Sequence, residues 1–317
     1  MKHFLSVQDA PDVDTIIQEA LAYKQSPRKD GGLGEGKTMG LLFLNPSLRT
    51  RISTQIAARN LGMETIVFNV DKEGWQLEFH DGAIMNGSTV EHVKEAAAVI
   101  GQYVQVLGIR TFPGLVNRED DYSELYIRQF VKYAGVPVVS LESATVHPLQ
   151  SLADAVTIRE CWKENRKPRV VMTWAPHVKA LPQAVPNSFA QWMNAWGAVD
   201  FVIAHPKGYE LHPDFAGKAT VVHNQNEALK GADFVYVKNW SSYQQYGKIV
   251  SQDSSWMMTA QKLTQTRQAK VMHCLPVRRN LVIADEVLDG PQSVVIQEAG
   301  NRVWAAQAVL SRILREL

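Results

Sequence analysis

The 317-residue chain has only two cysteines, Cys161 and Cys274. Two thiols make no disulfide framework, and a chain this long buries enough apolar surface to need neither disulfides nor a structural metal. A reducing, cytoplasmic compartment is the expectation. Neither sign of charge is in excess: 33 Lys and Arg face 32 Asp and Glu, a net charge of +1. That balance excludes a general nucleic-acid or polyanion binder. With 45% hydrophobic residues it also excludes an acidic disordered chain. A signal peptide is not expected, because Met1 to Asp12 carries Asp9 and Asp12 and has no long apolar centre. Ala180 to Val199 lacks any charge. Its Pro182, Gln183, Pro186, Asn187, Gln191 and Asn194 nevertheless argue against a membrane span and for a loop entering a buried helix. The nine histidines show no ligand spacing with cysteines or acids, so no metal or cofactor is expected.

What is present is an alternation of apolar runs and helical periodicity over a length that suits about two domains. Strands are expected at Thr38–Leu44, Glu64–Val70, Gln105–Arg110 and Pro137–Leu141, with helices at Leu48–Asn60, Val90–Gly101 and Glu124–Ala134. A long helix, Leu149–Glu164, and a polar boundary, Asn165–Pro168, precede a restart of the pattern. There, strands are expected at Arg169–Trp174, Val199–Ala204, Phe234–Val237 and Lys270–Cys274. Helices are expected at Ser188–Trp196, Asn226–Lys230, Ser255–Arg267 and Ala299–Leu317. The fold class is α/β: two doubly wound parallel-sheet domains, with ligands at the carboxyl ends of strands in the cleft between them. The boundaries read as 1–146, 147–298 and a C-terminal helix, 299–317, returning to the first domain.

Two segments suggest phosphate binding. Gly31 to Thr38, GGLGEGKT, fits the phosphate-loop pattern. Its context is reversed, with a polar segment before it and a strand after it, so a flexible turn is the better reading and a nucleotide-dependent phosphotransferase the weaker one. Asn45-Pro46-Ser47-Leu48-Arg49-Thr50-Arg51 has the right context, after a strand and opening a helix. A helix start offers amide hydrogens, Ser47 and Thr50 offer hydroxyls, and Arg49 and Arg51 offer fork-shaped cations. Arg49 is the expected ligand of the two. A serine cap with solvated arginines is the plainer alternative.

The chain also resembles a known family. Ser47-Leu48-Arg49-Thr50-Arg51 resembles the carbamoyl-phosphate loop of the aspartate and ornithine carbamoyltransferases. Gly108-Ile109-Arg110, His147-Pro148-Leu149-Gln150-Ser151-Leu152-Ala153-Asp154, His273-Cys274-Leu275-Pro276 and Glu298 to Arg302 (EAGNR) follow in the family's order along essentially the whole chain. The resemblance implies that Ser47, Leu48, Arg49, Thr50, Trp75, Arg110, His147, Gln150, Leu275 and Arg302 hold carbamoyl phosphate. It also implies that Arg49, Thr50, Arg110 and His147 stabilise the developing oxyanion. Gln150 would take the carbamoyl NH2 group. Cys274, with no activating base in sight, would offer sulfur and neighbouring carbonyls to the attacking amine rather than act as a nucleophile. Read alone, His147 before Pro148 is a helix cap.

One stretch departs from the ornithine enzymes. They read the substrate's α-amine with an Asp in a D-x-x-x-S-M-G loop, whereas this chain has Tyr236-Val237-Lys238-Asn239-Trp240-Ser241-Ser242. Lys238 would repel an α-ammonium and welcome a carboxylate, which favours an acylated ornithine over free ornithine. Val277-Arg278-Arg279-Asn280 adds two cations, and Trp174-Ala175-Pro176-His177 opens a proline-containing loop. The set resembles the N-acetyl- and N-succinylornithine branch, which implies a homotrimer, a Trp75 lent by a neighbouring subunit and a knotted second domain whose crossing involves Ala180 to Pro186. Trp75 read alone is a core or interface anchor. The acetyl enzymes carry a Glu where this chain has Val90, and the succinyl enzymes a Pro. An apolar Val90 leaves room for a succinyl carboxylate, so succinylornithine is preferred over acetylornithine. Val90, Glu142, His177, Lys238, Cys274, Leu275 and Arg278 are the expected acceptor contacts, with Glu142 at the amide side. No nucleic-acid or membrane partner is expected.

Overall fold

The computed structural model describes residues 1–317, excepting the side chain of Asp71. The chain divides into two compact units. Unit 1 comprises Met1–Gly114, Arg118–Leu149 and Arg302–Leu317, and unit 2 comprises Leu115–Asn117 and Gln150–Asn301.

Unit 1 runs α1 (Val13–Gln25), β1 (Thr38–Phe43), α2 (Arg49–Asn60), β2 (Glu64–Asn69), α3 (Val70–Glu73), β3 (Leu77–Glu78) and β4 (Glu91–His92). It continues through α4 (Val93–Tyr103), β5 (Val106–Arg110), α5 (Arg118–Tyr122), α6 (Leu125–Tyr133) and β6 (Val138–Glu142). Four strands form one sheet in the order β2-β1-β5-β6, and every pairing is parallel. β1 and β5 lie in the middle and read as continuous apolar runs because both faces are covered. Leu42, Val93, Ala97, Leu107, Ile109, Ile127, Phe130 and Val138 form the core on one face. β3 and β4 make a separate two-stranded parallel ribbon.

Unit 2 begins at Gln150 inside α7 (Pro148–Cys161) and runs β7 (Arg169–Trp174), α8 (Ala184–Trp196), β8 (Asp200–Ala204), α9 (Pro213–Ala216), β9 (Thr220–Val222), α10 (Gln225–Leu229) and β10 (Phe234–Lys238). α11 (Ala260–Leu263), β11 (Lys270–Met272), α12 (Asp285–Leu288) and α13 (Val295–Leu314) follow. The last helix spans the division of the units at Asn301 and Arg302. The five-stranded sheet has the order β11-β10-β7-β8-β9 and is again parallel throughout. Its core is aromatic: Phe189 stacks on Tyr236 at 4.2 Å, and Trp174 tilts against Tyr209 at 4.6 Å.

Several expectations need correction. Ser255–Arg267 is not one helix but a 3-10 turn, Ser254–Trp256, followed by the single turn α11. Met258 leaves the helical path to bridge Ile283, and Thr259 caps α11 through Lys262 N at 3.4 Å. The hydroxyls of Thr264 and Thr266 then bond back to Gln261 and Leu263 carbonyls, which competes with further helix. The helix expected from Val90 starts at Val93, because His92 is its cap and accepts from Lys94 N at 3.1 Å. α8 begins at Ala184 rather than Ser188, with Pro186 tolerated in its first turn, where amides have no intrahelical partner. α13 begins at Val295, four residues ahead of the expected Ala299. No helix among the described residues is long and apolar enough to cross a membrane.

α4 meets the end of α6 through a glycine. A Cβ on Gly101 would lie 1.8 Å from the Ala134 carbonyl oxygen. Gly101→Ala should therefore destabilise unit 1 by on the order of 3 kcal/mol, seen as a lower midpoint of urea unfolding. An unchanged midpoint would mean that the two helices separate at no cost.

Candidate functional site

In unit 1, β1, β5 and β6 end side by side, and their carboxyl ends present the polar residues singled out above. Phe43 pairs with Arg110, and Arg110 pairs with Glu142 across a register irregularity at Ile109/Arg110. Such a bulge re-aims side chains at the end of a strand. Beyond β1 the chain turns through Ser47 into α2, whose N-terminal residue Leu48 has no side-chain cap and is exposed. The helix start thus faces outward with its amides and positive dipole end.

Thr50 is the centre of this arrangement. Its Oγ1 accepts from Arg110 Nη1 at 3.2 Å and from Arg302 Nη2 at 2.6 Å. Arg110 Nη1 also reaches Ser47 Oγ at 3.1 Å, and Nη2 pairs with Glu142 Oε2 at 2.7 Å. His147 Nε2 lies 3.8 Å from the same carboxylate oxygen. Thr50, Glu142, His147 and Arg302 are all buried. A hydroxyl has two lone pairs and one proton. With both lone pairs taken by guanidinium donors, the Thr50 proton is directed to a further acceptor. Two guanidiniums, Arg302 buried and Arg110 half-buried, beside one carboxylate leave a positive balance, which suits an anionic ligand such as a phosphate. Glu142, expected to meet the acceptor's amide side, is found as the counter-ion of Arg110. Arg49 opens α2 one residue before Thr50 and is half-buried.

Trp75 and Val90 also belong to unit 1, joined by the β3–β4 ribbon. Trp75 Nε1–H donates to Glu91 Oε2 at 2.8 Å, and Val90 N–H donates to the Gln76 carbonyl at 3.0 Å. Both side chains are exposed, 54% and 66% respectively. Behind Trp75 lies a cavity of about 350 Å³ bordered by Leu44, Val70, Leu77, Phe79 and Thr89.

In unit 2 a second cationic group collects at the ends of β10 and β11. Lys238, the last residue of β10, is only 7% exposed, and its Nζ has a 3.4 Å contact to the Asn239 amide oxygen. No carboxylate lies within ion-pair distance of it among the described residues. Arg278 Nε–H donates to His177 Nε2 at 3.1 Å. His177 Nδ1 then carries the proton and donates to the Lys179 carbonyl at 3.0 Å. Burial lowers the His177 pKa against the upward pull of that bond, and the positive charges of Arg278 and Lys238 lower it further. The ring is accordingly neutral near neutral pH. Arg279, the second cation expected beside the substrate, is instead engaged by Asp285 at 2.9 Å and Asp289 at 2.8 Å.

The His273–Pro276 turn follows β11. Leu275 has a left-handed backbone, φ 55°, and the Leu275–Pro276 bond is cis. Leu275 N–H donates to His273 Nδ1 at 2.8 Å, and His273 N–H donates to Glu298 Oε2 at 2.8 Å. Cys274 is buried. Behind it stand Tyr236, Asp154 and Glu298. Burial raises the Glu298 carboxyl well above the ordinary range, with Asp154 adding to the effect. Burial likewise raises the Tyr236 phenol, and Asp154 and Cys274 reinforce it. Gln150, expected to hold the carbamoyl NH2 group, donates from Nε2 to Asp154 Oδ1 at 2.7 Å. The supporting roles of Tyr236 and Glu298 are the part the sequence expectation left out. Glu298 was within reach as the first letter of the EAGNR run, whereas nothing in the sequence ties Tyr236 to Cys274. The GGLGEGKT segment lies in turns between α1 and β1, an order opposite to a phosphate loop.

Residues 2–160 match the family model "Aspartate/ornithine carbamoyltransferase, carbamoyl-P binding domain", and residues 183–313 match its "Asp/Orn binding domain". The chain is 50% identical to an N-succinylornithine carbamoyltransferase of Bacteroides fragilis, covering 100% of both proteins. It is 33% identical to an N-acetylornithine carbamoyltransferase of Xanthomonas campestris, covering 99% of this chain and 98% of that one. A solved acetylornithine transcarbamylase complexed with acetylcitrulline is similar with a TM-score of 0.91 and 33% identity over 99% of each chain. So is an N-acetyl-L-ornithine transcarbamylase with one glutamate replaced by valine, complexed with carbamyl phosphate and N-succinyl-L-norvaline. Its TM-score is 0.91 and its identity 33%, over 99% of this chain and 100% of that one.

The buried acid behind Cys274 has a pH signature. The folded protein retains a proton on Glu298 that the unfolded chain releases above its ordinary value of 4.5. Its stabilising contribution is therefore present below that value and is lost as pH rises through the folded value. Glu298→Gln should gain on the parent between about pH 5 and about pH 8, by at least about 1 kcal/mol in urea unfolding. A constant difference across that range would show that Glu298 titrates normally.

Proposed function

Since the chain belongs to the aspartate/ornithine carbamoyltransferase family, we propose that it transfers the carbamoyl group of carbamoyl phosphate to the side-chain amine of N-succinyl-L-ornithine. The products are N-succinyl-L-citrulline and phosphate, in arginine biosynthesis. Arg110, Arg302, Thr50 and Ser47 hold the phosphate, with Arg49 and the α2 amides at its side. Arg110, Thr50 and His147 receive the carbonyl oxygen as it gains charge, and electrostatic stabilisation of this kind usually lowers the barrier more than any other single effect. The amine nitrogen bonds to the carbonyl carbon, the carbon–oxygen bond to phosphate breaks, and the departing phosphate takes the amine's proton. No side-chain base is needed. Leu275 offers its carbonyl, and Cys274 its sulfur, to the incoming amine. Gln150 turns from Asp154 to the carbamoyl NH2 group.

One observation supports an acylated acceptor above the others: Lys238 is buried with an amide as its close partner rather than a carboxylate. An α-ammonium beside it would meet a desolvated like charge, whereas a carboxylate would meet a waiting cation. Arg278 adds a second cation to that patch, and the neutral His177 ring accepts from it. Val90 supports the succinyl choice, because an apolar residue there removes the like-charge conflict that a glutamate would have with the second carboxylate. The valine-substituted acetylornithine enzyme that holds N-succinyl-L-norvaline points the same way. The exposed Trp75 and Val90 suit a cytoplasmic homotrimer in which the ribbon faces a neighbouring copy.

The test is a citrulline-forming assay with carbamoyl phosphate and three acceptors. Succinylornithine should give the highest kcat/KM, acetylornithine a lower one, and ornithine little or none. Activity with ornithine alone would refute the role given to Lys238. Val90→Glu should cut kcat/KM for succinylornithine at least about tenfold, ~1.4 kcal/mol, and spare acetylornithine. An unaltered ratio of the two acceptors would remove Val90 as the discriminator.

A further inference from the structure

Unit 2 brings together three metal-ligating side chains away from the residues discussed so far. β8 and β9 are adjacent and parallel, with Ala204 opposite Val222. The next residue of each strand end is a histidine, so the register sets His205 beside His223. Their rings meet edge to face at 5.0 Å. The chain then turns at Gly208 and returns Glu210 to the same spot. One nitrogen of each ring and one carboxylate oxygen of Glu210 lie within 4.8 Å of one another.

We propose that His205, Glu210 and His223 form a binding site for a divalent transition-metal ion, with Zn2+ the best match to two imidazoles and one carboxylate. Four features support it. His205 Nδ1 contacts the Pro206 carbonyl at 2.9 Å, and His223 Nδ1 contacts the His205 carbonyl at 3.0 Å. A carbonyl only accepts, so Nδ1 carries the proton in both rings and each Nε2 presents a lone pair. Backbone carbonyls fix the ligand tautomer in the same way at known metal centres.

Glu210 is prepared as well. Its Oε1 accepts from Gly208 N–H at 3.1 Å, while its buried Oε2 has no hydrogen-bond partner. The turn that carries it is fixed. Tyr209 hydroxyl accepts from Val250 and Ser251 amides at 2.9 Å, and the Trp240 indole donates to the Tyr209 carbonyl at 2.8 Å. Finally, the site has an entrance, because His205 is buried and His223 is exposed. Three protein ligands leave one coordination position open, and tetrahedral Zn2+ draws its ligands to about 3.4 Å apart, a closure of at most about 1.4 Å from the 4.8 Å limit here. The sequence offsets of five and thirteen residues make no recognisable motif, and only the β8–β9 register brings the three together. A bound ion would pin β9, the short edge strand of the sheet.

The full-length protein, stripped with a chelator, is titrated with Zn2+ by calorimetry. One ion per chain should bind with micromolar affinity or better and raise the thermal unfolding midpoint. His223→Ala, at an exposed position, and Glu210→Gln should each weaken binding at least about tenfold, while His212→Ala, outside the triad, leaves it unchanged. No saturable binding, or binding that survives both His223→Ala and Glu210→Gln, overturns the site.

Discussion

The hydroxyl of Thr50 ties together three parts of unit 1 that are remote in sequence. It sits in the first turn of α2 and takes guanidinium bonds from Arg110 at the end of β5 and from Arg302 in α13. Because the strands are parallel and their carboxyl ends align, the re-aimed Arg110 can reach Ser47, Thr50 and Glu142 at once. The net charge of +1 conceals this local excess of cations. It excludes a long polyanion as ligand but says nothing against a small one.

Unit 2 depends on a complementary device. A lysine at the end of a central strand is buried beside an amide, with His177 and Arg278 at hand. Such a group is costly to bury and is tolerated where a charged ligand completes it. The acceptor half of the proposed reaction follows from that electrostatic need. The buried acid cluster behind Cys274 has a different task. It holds the His273–Pro276 turn by the backbone of His273, next to the left-handed Leu275.

Much of the fold was legible because parallel strands buried on both faces read as unbroken apolar runs, as in β1 and β7. α2 and α8 end at Asn60 and Trp196 as expected, whereas α7 stops at Cys161 and α13 at Leu314, and at Ser255–Arg267 threonine hydroxyls and the Met258 bridge override the periodicity. α1 was absent from the expectation, although Asp12 caps it and Val13, Ile16, Ile17 and Ala20 make an apolar stripe. Of the proposed site, the segment from Asn45 to Arg51 was legible as a strand-to-helix turn, which is what it forms between β1 and α2. The pairing of Glu142 with Arg110 was not, since it depends on a one-residue slip between β5 and β6. The same holds for His205, Glu210 and His223, which only strand register assembles.

The central claim is that Arg110 and Arg302 around Thr50 make a site for a doubly charged phosphate without help from the acceptor. Calorimetric titration of inorganic phosphate into the full chain, alone and as Arg302→Ala, tests it most directly. The parent should bind one phosphate per chain, and the variant should bind it about 100-fold more weakly, ~2.7 kcal/mol. Equal affinity in the two proteins would contradict it.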